Sequence, residues 1–361
     1  MASQNTDDTS LTPARQLVGR ELPNSWKVEE EVERPLNATG GNFSASYIVR
    51  GGDGRKAFLK AMDYMKALGD ADPATALEIM TTAFNFERSL LEKCRSRNLS
   101  RIVRVLDGGT LPAQDGDPSS VVQYLVFELA SGDIRSVKEI GQTFEFAWAL
   151  RIMHQAAAAL QQLHSVRIAH QDVKPSNILR YENGRYKLAD LGRAFDLNQS
   201  SPHEEMPCAG DQTYAPPELL YGHLHEDWTI RRLGCDMYLL GSLFVFLCTG
   251  VSLTPLLLKR LDVQHHPTNW SGPYGEVLTY IESEFAQILR EYRETIPSDL
   301  SEEAASLVRQ LCNPDPQQRG HPLNFRSVNR YSLERYVSIF DRLAKKAEWS
   351  LRSGNPIHRV N

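Results

Sequence analysis

The sequence has few cysteines, and they form no recognisable pairing motif. The five cysteines in 361 residues are an odd number, and no two are spaced C-x-x-C. A disulfide framework or a structural zinc site is therefore not expected. Free cysteines are typical of a reducing compartment, so the expected location is the cytoplasm.

The sequence also lacks an excess of positive charge. Lys and Arg number 40 and Asp and Glu number 45, which gives a formal net charge of -5. Neither a nucleic-acid footprint nor a polybasic membrane surface is expected. The polar stretch from Met1 to Ser10 has no basic or apolar region of a signal peptide. With 41% hydrophobic and 24% charged residues, the composition is that of a globular protein.

Long hydrophobic runs are rare, and one needs a membrane check. Tyr238 to Leu258 is mostly apolar, and 21 residues are long enough to cross a bilayer. Gly250 and Pro255 interrupt the run. The sequence therefore favours a buried core helix and predicts no membrane span.

The first part of the chain is predicted to be strand-rich. Residues 1–25 are polar and are predicted to form a poorly ordered leader. A long helix is predicted to begin at Pro73, because apolar residues then recur at i+3 and i+4. The predicted strands are Ser46–Arg50, Lys56–Lys60, Ile102–Leu106 and Val121–Leu129.

The second part is predicted to be mainly helical. Apolar residues follow a helical period from Ala147 to His164 and again from Leu333 to Ala344. Between them, Asn183-Gly184 separates two apolar runs, which is a strong hairpin signal. The pattern predicts an α+β protein, with a small strand-rich lobe over about 34–130 and a larger helical lobe over about 131–345. Residues 346–361 are expected to be a tail.

The most informative segment runs from His170 to Asn177, as His-Gln-Asp-Val-Lys-Pro-Ser-Asn, and is followed by Asp190-Leu191-Gly192. This pattern resembles the catalytic loop and the D-F-G motif of eukaryotic-type protein kinases. The resemblance extends over residues 34–345 and implies a bilobal fold, with a small antiparallel-sheet N-lobe carrying one main helix and a larger, mainly helical C-lobe. The D-L-G variant is more similar to bacterial members of the family.

The residues of this segment suit phosphoryl transfer, which needs positioning and charge neutralisation more than covalent chemistry. Asp172 is predicted to accept the proton of an incoming hydroxyl, and Lys174 to offset charge on the transferred group. The oxygens of Asn177 and Asp190 are suitable ligands for Mg²⁺. The chain is thus predicted to use ATP and Mg²⁺.

Further ATP contacts are implied by the resemblance. Lys60 corresponds to the lysine that contacts the α- and β-phosphates, and Glu87 to its partner on the long helix. The phosphate-covering loop corresponds to Thr39, Gly40, Gly41, Phe43 and Ser44, and it keeps one glycine of the family pattern. Outside this loop, Phe58 stands where the family usually has an alanine against adenine. The hinge corresponds to Glu128 and Ala130, whose backbone would bind adenine, and Asp133 would reach the ribose.

Later landmarks indicate a protein substrate. Pro216-Pro217-Glu218 resembles A-P-E, and Arg319 corresponds to the arginine that pairs with its glutamate, so a buried ion pair is predicted. The lysine two residues after Asp172 indicates Ser/Thr acceptors.

Two positions depart from the family pattern. Gln171 replaces a common arginine, which predicts less dependence on activation-loop phosphorylation. Asp211 replaces the usual threonine near the acceptor.

Two other functions stay open at this point. A pseudokinase that binds nucleotide or acts as a scaffold is favoured by the degenerate glycine loop and by Phe58. A small-molecule kinase would share the catalytic loop but not the Glu218 and Arg319 framework. The expected partners are protein substrates and a regulatory protein.

Overall fold

The computed structural model describes residues 12–32, 44–112, 121–135 and 146–352. The chain divides into two compact units. The first comprises Met1–Asn98 and Val103–Ala130, and the second comprises Leu99–Ile102 and Ser131–Asn361.

The first unit is built on a six-stranded antiparallel sheet. Its strands are β1 Glu21–Leu22, β2 Trp26–Glu31, β3 Ser44–Gly51, β4 Lys56–Met62, β5 Val105–Leu111 and β6 Val122–Glu128. They lie in the order β1-β2-β3-β4-β6-β5. The predicted strands Ser46–Arg50 and Lys56–Lys60 lie within β3 and β4, which pair as a hairpin. Its turn contains Gly54 at φ +83°, a conformation that favours glycine.

The N-terminal segment covers one face of this sheet, so the predicted disorder over residues 1–25 is wrong for residues 12–25. A short 3-10 helix, Pro13–Arg15, precedes β1. Leu17 and Leu22 are buried in one hydrophobic cluster with alternate residues of β3 and β4, and Tyr47 Oη donates a 2.7 Å hydrogen bond to the Ala14 carbonyl. Residues 12–25 show no regular spacing of apolar residues, and they are ordered because they are buried against the sheet.

The third predicted strand is shifted along the chain. It was expected over Ile102–Leu106, but β5 runs over Val105–Leu111. Gly108 and Gly109 lie inside the strand. A Cβ on Gly108 would come within 2.8 Å of the Leu125 side chain, so glycine there permits close packing rather than a turn.

The helices of the first unit are α1 Met65–Leu68 and α2 Pro73–Ser96. The predicted start of α2 at Pro73 is confirmed: Pro is favoured in the first helical turn, and the preceding Asp72 accepts a 3.2 Å hydrogen bond from the Thr75 amide. Its buried face carries Phe84, Glu87 and Leu91.

The second unit is mainly helical. Its helices are α3 Phe146–Ser165, α4 Pro217–Leu220, α5 Gly234–Thr249, α6 Leu253–Arg260, α7 Tyr274–Glu294, α8 Ser298–Leu311 and α9 Glu334–Arg352. Its short strands are β7 Gly132–Asp133, β8 Ile168–Ala169, β9 Ile178–Arg180, β10 Tyr186–Leu188 and β11 Phe195–Asp196. They form the sheets β10-β9-β7 and β11-β8. The predicted Asn183-Gly184 hairpin is present between β9 and β10, with Gly184 at φ +70°.

Helix α5 lies in the core of the second unit. Phe244 contacts Phe340 of α9 and Tyr292 of α7 edge-on, with ring centroids 5.5 and 6.1 Å apart. With the π-helical turn before it, Thr229–Thr249 is long and apolar enough to cross a membrane, but 83% of its apolar window is buried within the protein. This burial agrees with the core helix that the sequence favoured.

Helix α9 extends beyond the predicted end of the domain at residue 345. It continues to Arg352, and Ala347 is fully buried. The predicted tail over 346–361 is therefore wrong for residues 346–352.

Gly241 allows α5 to pack closely on the end of α8. A Cβ on it would lie 2.3 Å from Cys312 Sγ and 2.8 Å from Leu311 Cβ. We expect Gly241→Ala to lower the free energy of unfolding by about 1–3 kcal/mol, because the added methyl group overpacks the core. Gly275→Ala in α7 is the matched control, since a Cβ there meets nothing within 4 Å. A urea titration of both variants checks this, and equal stability would contradict it.

Candidate active site

Lys60 and Glu87 form an ion pair in the first unit, as the sequence predicted. Lys60 Nζ lies 3.2 and 3.0 Å from the two carboxylate oxygens of Glu87. The Glu87 side chain is only 7% exposed, so the ammonium group compensates a buried negative charge. On β4, Lys60 lies opposite Ser46 of β3, and Phe58 lies opposite Phe127 of β6. Phe58 is half-buried there.

The predicted phosphate-covering loop falls largely outside the described residues, which resume at Ser44. The predicted loop residues Thr39, Gly40, Gly41 and Phe43 lie outside the described residues. Ser44 is buried at the start of β3, opposite Met62.

The predicted hinge residues lie at the end of β6 and after it. The amide of Glu128 donates to the Arg104 carbonyl at 3.1 Å, and its Oε1 accepts from the Arg104 amide at 2.8 Å. Ala130 ends the first unit. In the second unit, the Asp133 carboxylate accepts a 2.8 Å hydrogen bond from the Arg135 amide. Their contacts with adenine and ribose stay predictions.

Asp236 is a fully buried carboxylate at the start of α5, and it binds the backbone of the catalytic loop, residues 170–177. Its Oδ2 accepts from the amide of His170 and its Oδ1 from the amide of Gln171, both at 2.8 Å. His164 Nε2 lies 2.8 Å from Oδ2. Burial favours the neutral acid, but the contact with His164 and these hydrogen bonds outweigh it and lower the pKa of Asp236. Gln171 adopts φ +65°, a strained conformation that the loop tolerates next to Asp172.

Asp172 is the centre of a compact cluster of polar groups in the second unit. Its Oδ2 lies 3.1 Å from Lys174 Nζ and accepts a 3.1 Å hydrogen bond from Asn177 Nδ2. Its Oδ1 accepts a 3.0 Å hydrogen bond from the backbone amide of Asp211. Lys174 also contacts Asp211 Oδ2 at 3.4 Å. The structure thus brings together the two predicted catalytic residues, one predicted metal ligand and the unusual Asp211.

The charges of this cluster depend on each other. Burial raises the pKa of Asp172, partly offset by the Lys174 ammonium group. Burial alone would lower the pKa of Lys174, but the carboxylates of Asp172 and Asp211 outweigh it and raise the pKa. The pKa of Asp211 is lowered. Burial would raise it, but hydrogen bonds from Thr213 and the positive charge of Lys174 outweigh burial. A buried carboxylate with a raised pKa is a suitable proton acceptor.

Asp190 lies beside this cluster and is exposed. The amide of its neighbour Ala189 donates a 2.9 Å hydrogen bond to the Asn177 carbonyl. Its negative charge contributes to the raised pKa of Asp172. Asp190 adopts φ +66°, which is uncommon outside glycine and is a feature of functional sites.

Glu218 and Arg319 form the predicted buried ion pair. The guanidinium group donates from Nη1 and Nη2 to the two carboxylate oxygens, each at 2.6 Å. Arg319 also donates from Nε to the carbonyl of Asn313 at 2.7 Å. Burial would lower the pKa of Arg319, but Glu218 outweighs it and raises the pKa.

The sequence resemblance implied three features in chain order, and the structure contains all three. They are the Lys60–Glu87 pair, the catalytic-loop cluster and the Glu218–Arg319 pair. Residues 41–327 match the family model described as "Protein kinase domain". The chain belongs to the protein kinase family. The two units are accordingly the N-lobe and the C-lobe of the kinase fold, and ATP is the co-substrate that the family uses.

Curated relatives of this kinase are kinases by name, and one of them is named a serine/threonine-protein kinase. The chain is 29% identical over 280 residues to "Probable cyclin-dependent kinase 10" of Dictyostelium discoideum, covering 74% of this chain and 69% of that protein. It is 28% identical over 240 residues to "Serine/threonine-protein kinase ssp1" of Schizosaccharomyces pombe, covering 64% and 32%. To the Aurora kinase of Debaryomyces hansenii it is 28% identical over 197 residues, covering 54% and 41%. The chain thus spans less than half the length of two of these relatives.

Sequence reasoning did not assign a role to Asp236 in this kinase. The available signal was an acidic residue at the start of the longest apolar run. A carboxylate there is costly to bury unless several donors meet it, and the loop around His170 supplies them.

Proposed function

We propose that this kinase transfers the γ-phosphoryl group of ATP to Ser or Thr hydroxyls of protein substrates. The observation that carries the proposal is the hydrogen-bonded cluster around Asp172. Asp172 would orient the acceptor hydroxyl and take its proton as the phosphoryl group leaves ATP. Lys174 would stabilise the negative charge that accumulates on the transferred group.

The remaining groups would hold the nucleotide. Lys60, fixed by Glu87, would contact the α- and β-phosphates. Asn177 donates from its amide nitrogen to the backbone and side chain of Asp172, and its oxygen accepts from Ser176 Oγ at 3.5 Å. That oxygen and the Asp190 carboxylate suit Mg²⁺, which takes few protein ligands and keeps phosphate oxygens in its shell. When bound, the ion would neutralise phosphate charge.

The name of the relative from Schizosaccharomyces pombe and the position of Lys174 support Ser and Thr as acceptors. The cysteine pattern supports a cytoplasmic location. The proposed partners are protein substrates and a regulatory protein.

A transfer assay tests this function. The purified chain is incubated with labelled ATP, Mg²⁺ and dephosphorylated casein, and phosphoamino acids are identified after hydrolysis. We expect phosphoserine and phosphothreonine in the wild type, none in the Asp172→Asn variant, and loss of transfer when Mg²⁺ is chelated.

The same assay separates the alternatives. ATP binding in the absence of transfer to any acceptor would support the pseudokinase. Labelling of small hydroxyl compounds without labelling of proteins would support the small-molecule kinase. Either result would overturn the proposed function.

A further inference from the structure

Arg232 is a buried cation next to the catalytic loop. Its side chain is 2% exposed, and its guanidinium carbon lies 3.3 Å from the ring centroid of Phe195. Burial, with little compensation, lowers its pKa to about 10. Within the described part of the chain, the carboxylate that pairs with it is Glu204, whose Oε2 accepts from Nη2 at 3.2 Å.

Glu204 belongs to the activation segment, which we define as residues 190–218. A turn over residues 201–206 presents it. The neighbouring His203 is buried, and its Nε2 lies 2.7 Å from the Gly192 carbonyl. Arg231 Nη2 donates to the Glu204 carbonyl at 3.4 Å. These contacts hold His203 and the backbone carbonyl of Glu204, and the Glu204 carboxylate, whose side chain is 45% exposed, reaches Arg232.

The backbone of Arg232 reaches the catalytic loop directly. Its carbonyl accepts a 2.8 Å hydrogen bond from Nε2 of Gln171, the residue before Asp172. Arg232 therefore connects two segments: its side chain contacts the activation segment, and its backbone contacts the catalytic loop. An arginine in place of Gln171 would add a second cation beside Arg232.

Beyond Glu204, the activation segment returns to Asp172. A Cβ on Gly210 would lie 2.2 Å from the Gln171 carbonyl, so the two backbones are in close contact. The next residue, Asp211, donates its amide to Asp172 and accepts from Lys174. The position of the segment therefore determines how the proton acceptor is held.

We propose that Glu204 is a positioning residue for phosphoryl transfer, a fixed negative charge that anchors the activation segment on Arg232 and replaces a phosphate on that segment. The proposal rests on the proposed function. Kinase activation loops are commonly ordered when a phosphate pairs with arginine. Here the anion is encoded in the chain, so transfer requires no prior phosphorylation.

Glu204→Gln tests the proposal, with Glu205→Gln as the matched control, because Glu205 is the adjacent exposed glutamate. All proteins are treated with phosphatase and their phosphate content is checked by mass spectrometry. We expect Glu204→Gln to lower kcat/KM for the protein acceptor by about 10- to 100-fold, as for a lost charge-assisted hydrogen bond. KM for ATP and the melting temperature should stay unchanged, Glu204→Asp should recover part of the activity, and Glu205→Gln should match the wild type.

Hydrogen exchange provides a readout that does not depend on activity. Amides of residues 195–211 should exchange faster in Glu204→Gln than in Glu205→Gln. Equal exchange and equal kinetics in the two variants would overturn the proposal, as would loss of wild-type activity after phosphatase treatment. If the wild-type protein transfers no phosphate although the amides of residues 195–211 exchange slowly, the proposed function is refuted, and the positioning role of Glu204 with it.

Discussion

Asp172→Asn is expected to lower kcat by about 10²–10⁴-fold, the usual contribution of a general base. The amide cannot take the acceptor proton, and it cannot accept hydrogen bonds at both positions where the carboxylate accepts them. KM for ATP should change little, since Lys60 and Glu87 are untouched. Steady-state kinetics with a protein acceptor measure both quantities.

Asp262→Asn is the matched control for this loss, because it neutralises an exposed carboxylate outside the site. Its kcat should equal that of the wild type. A pH profile adds an independent check. Since burial raises the pKa of Asp172, transfer should fall as the pH drops through a value above the ordinary range of aspartate. An Asp172→Asn enzyme that kept this acid limb would show that another group accepts the proton.

Arg319→Met is expected to lower the free energy of unfolding of the C-lobe by about 3–5 kcal/mol, because the Glu218 carboxylate would then be buried without its cation. The loss extends to the backbone, since Arg319 also donates to the carbonyls of Asn313, Gly234 and Pro314. Chemical denaturation followed by fluorescence measures the change.

Two comparisons make this prediction specific. Arg342→Ala removes an arginine that pairs with Glu303 at the surface, and such a pair contributes about 0–1 kcal/mol. Adding Glu218→Leu to Arg319→Met should recover part of the stability, because the unpaired charge is removed while the carbonyls still lack a donor. If Arg319→Met were no less stable than Arg342→Ala, the buried pair would not stabilise the C-lobe.

Much of the site could be predicted from the sequence because its parts are local. The catalytic loop and the Asn183-Gly184 hairpin are contiguous segments, and the hairpin is specified by turn chemistry. The partner of Lys60 was predicted because the family resemblance places Glu87 on the long periodic helix.

Other features depend on contacts between distant segments. The local sequence does not decide whether Arg232 is buried, because it stands between the polar Arg231 and the apolar Leu233. Its environment is created by Phe195 and Glu204, which lie 37 and 28 residues earlier in the chain. The order of residues 12–25 likewise comes from a sheet assembled from later strands, so composition alone indicated a loose leader.

The folded N-lobe begins earlier in the chain than the family match, because the N-terminal segment that covers its sheet precedes residue 41. The family match begins at residue 41, after β1 and β2. A fragment that starts there would turn β3 into an edge strand and expose Tyr47, Leu59 and Val126, which are now fully buried. Open strand edges beside apolar surface promote self-association. A recombinant fragment that keeps this sheet face covered must therefore include Pro13–Glu31.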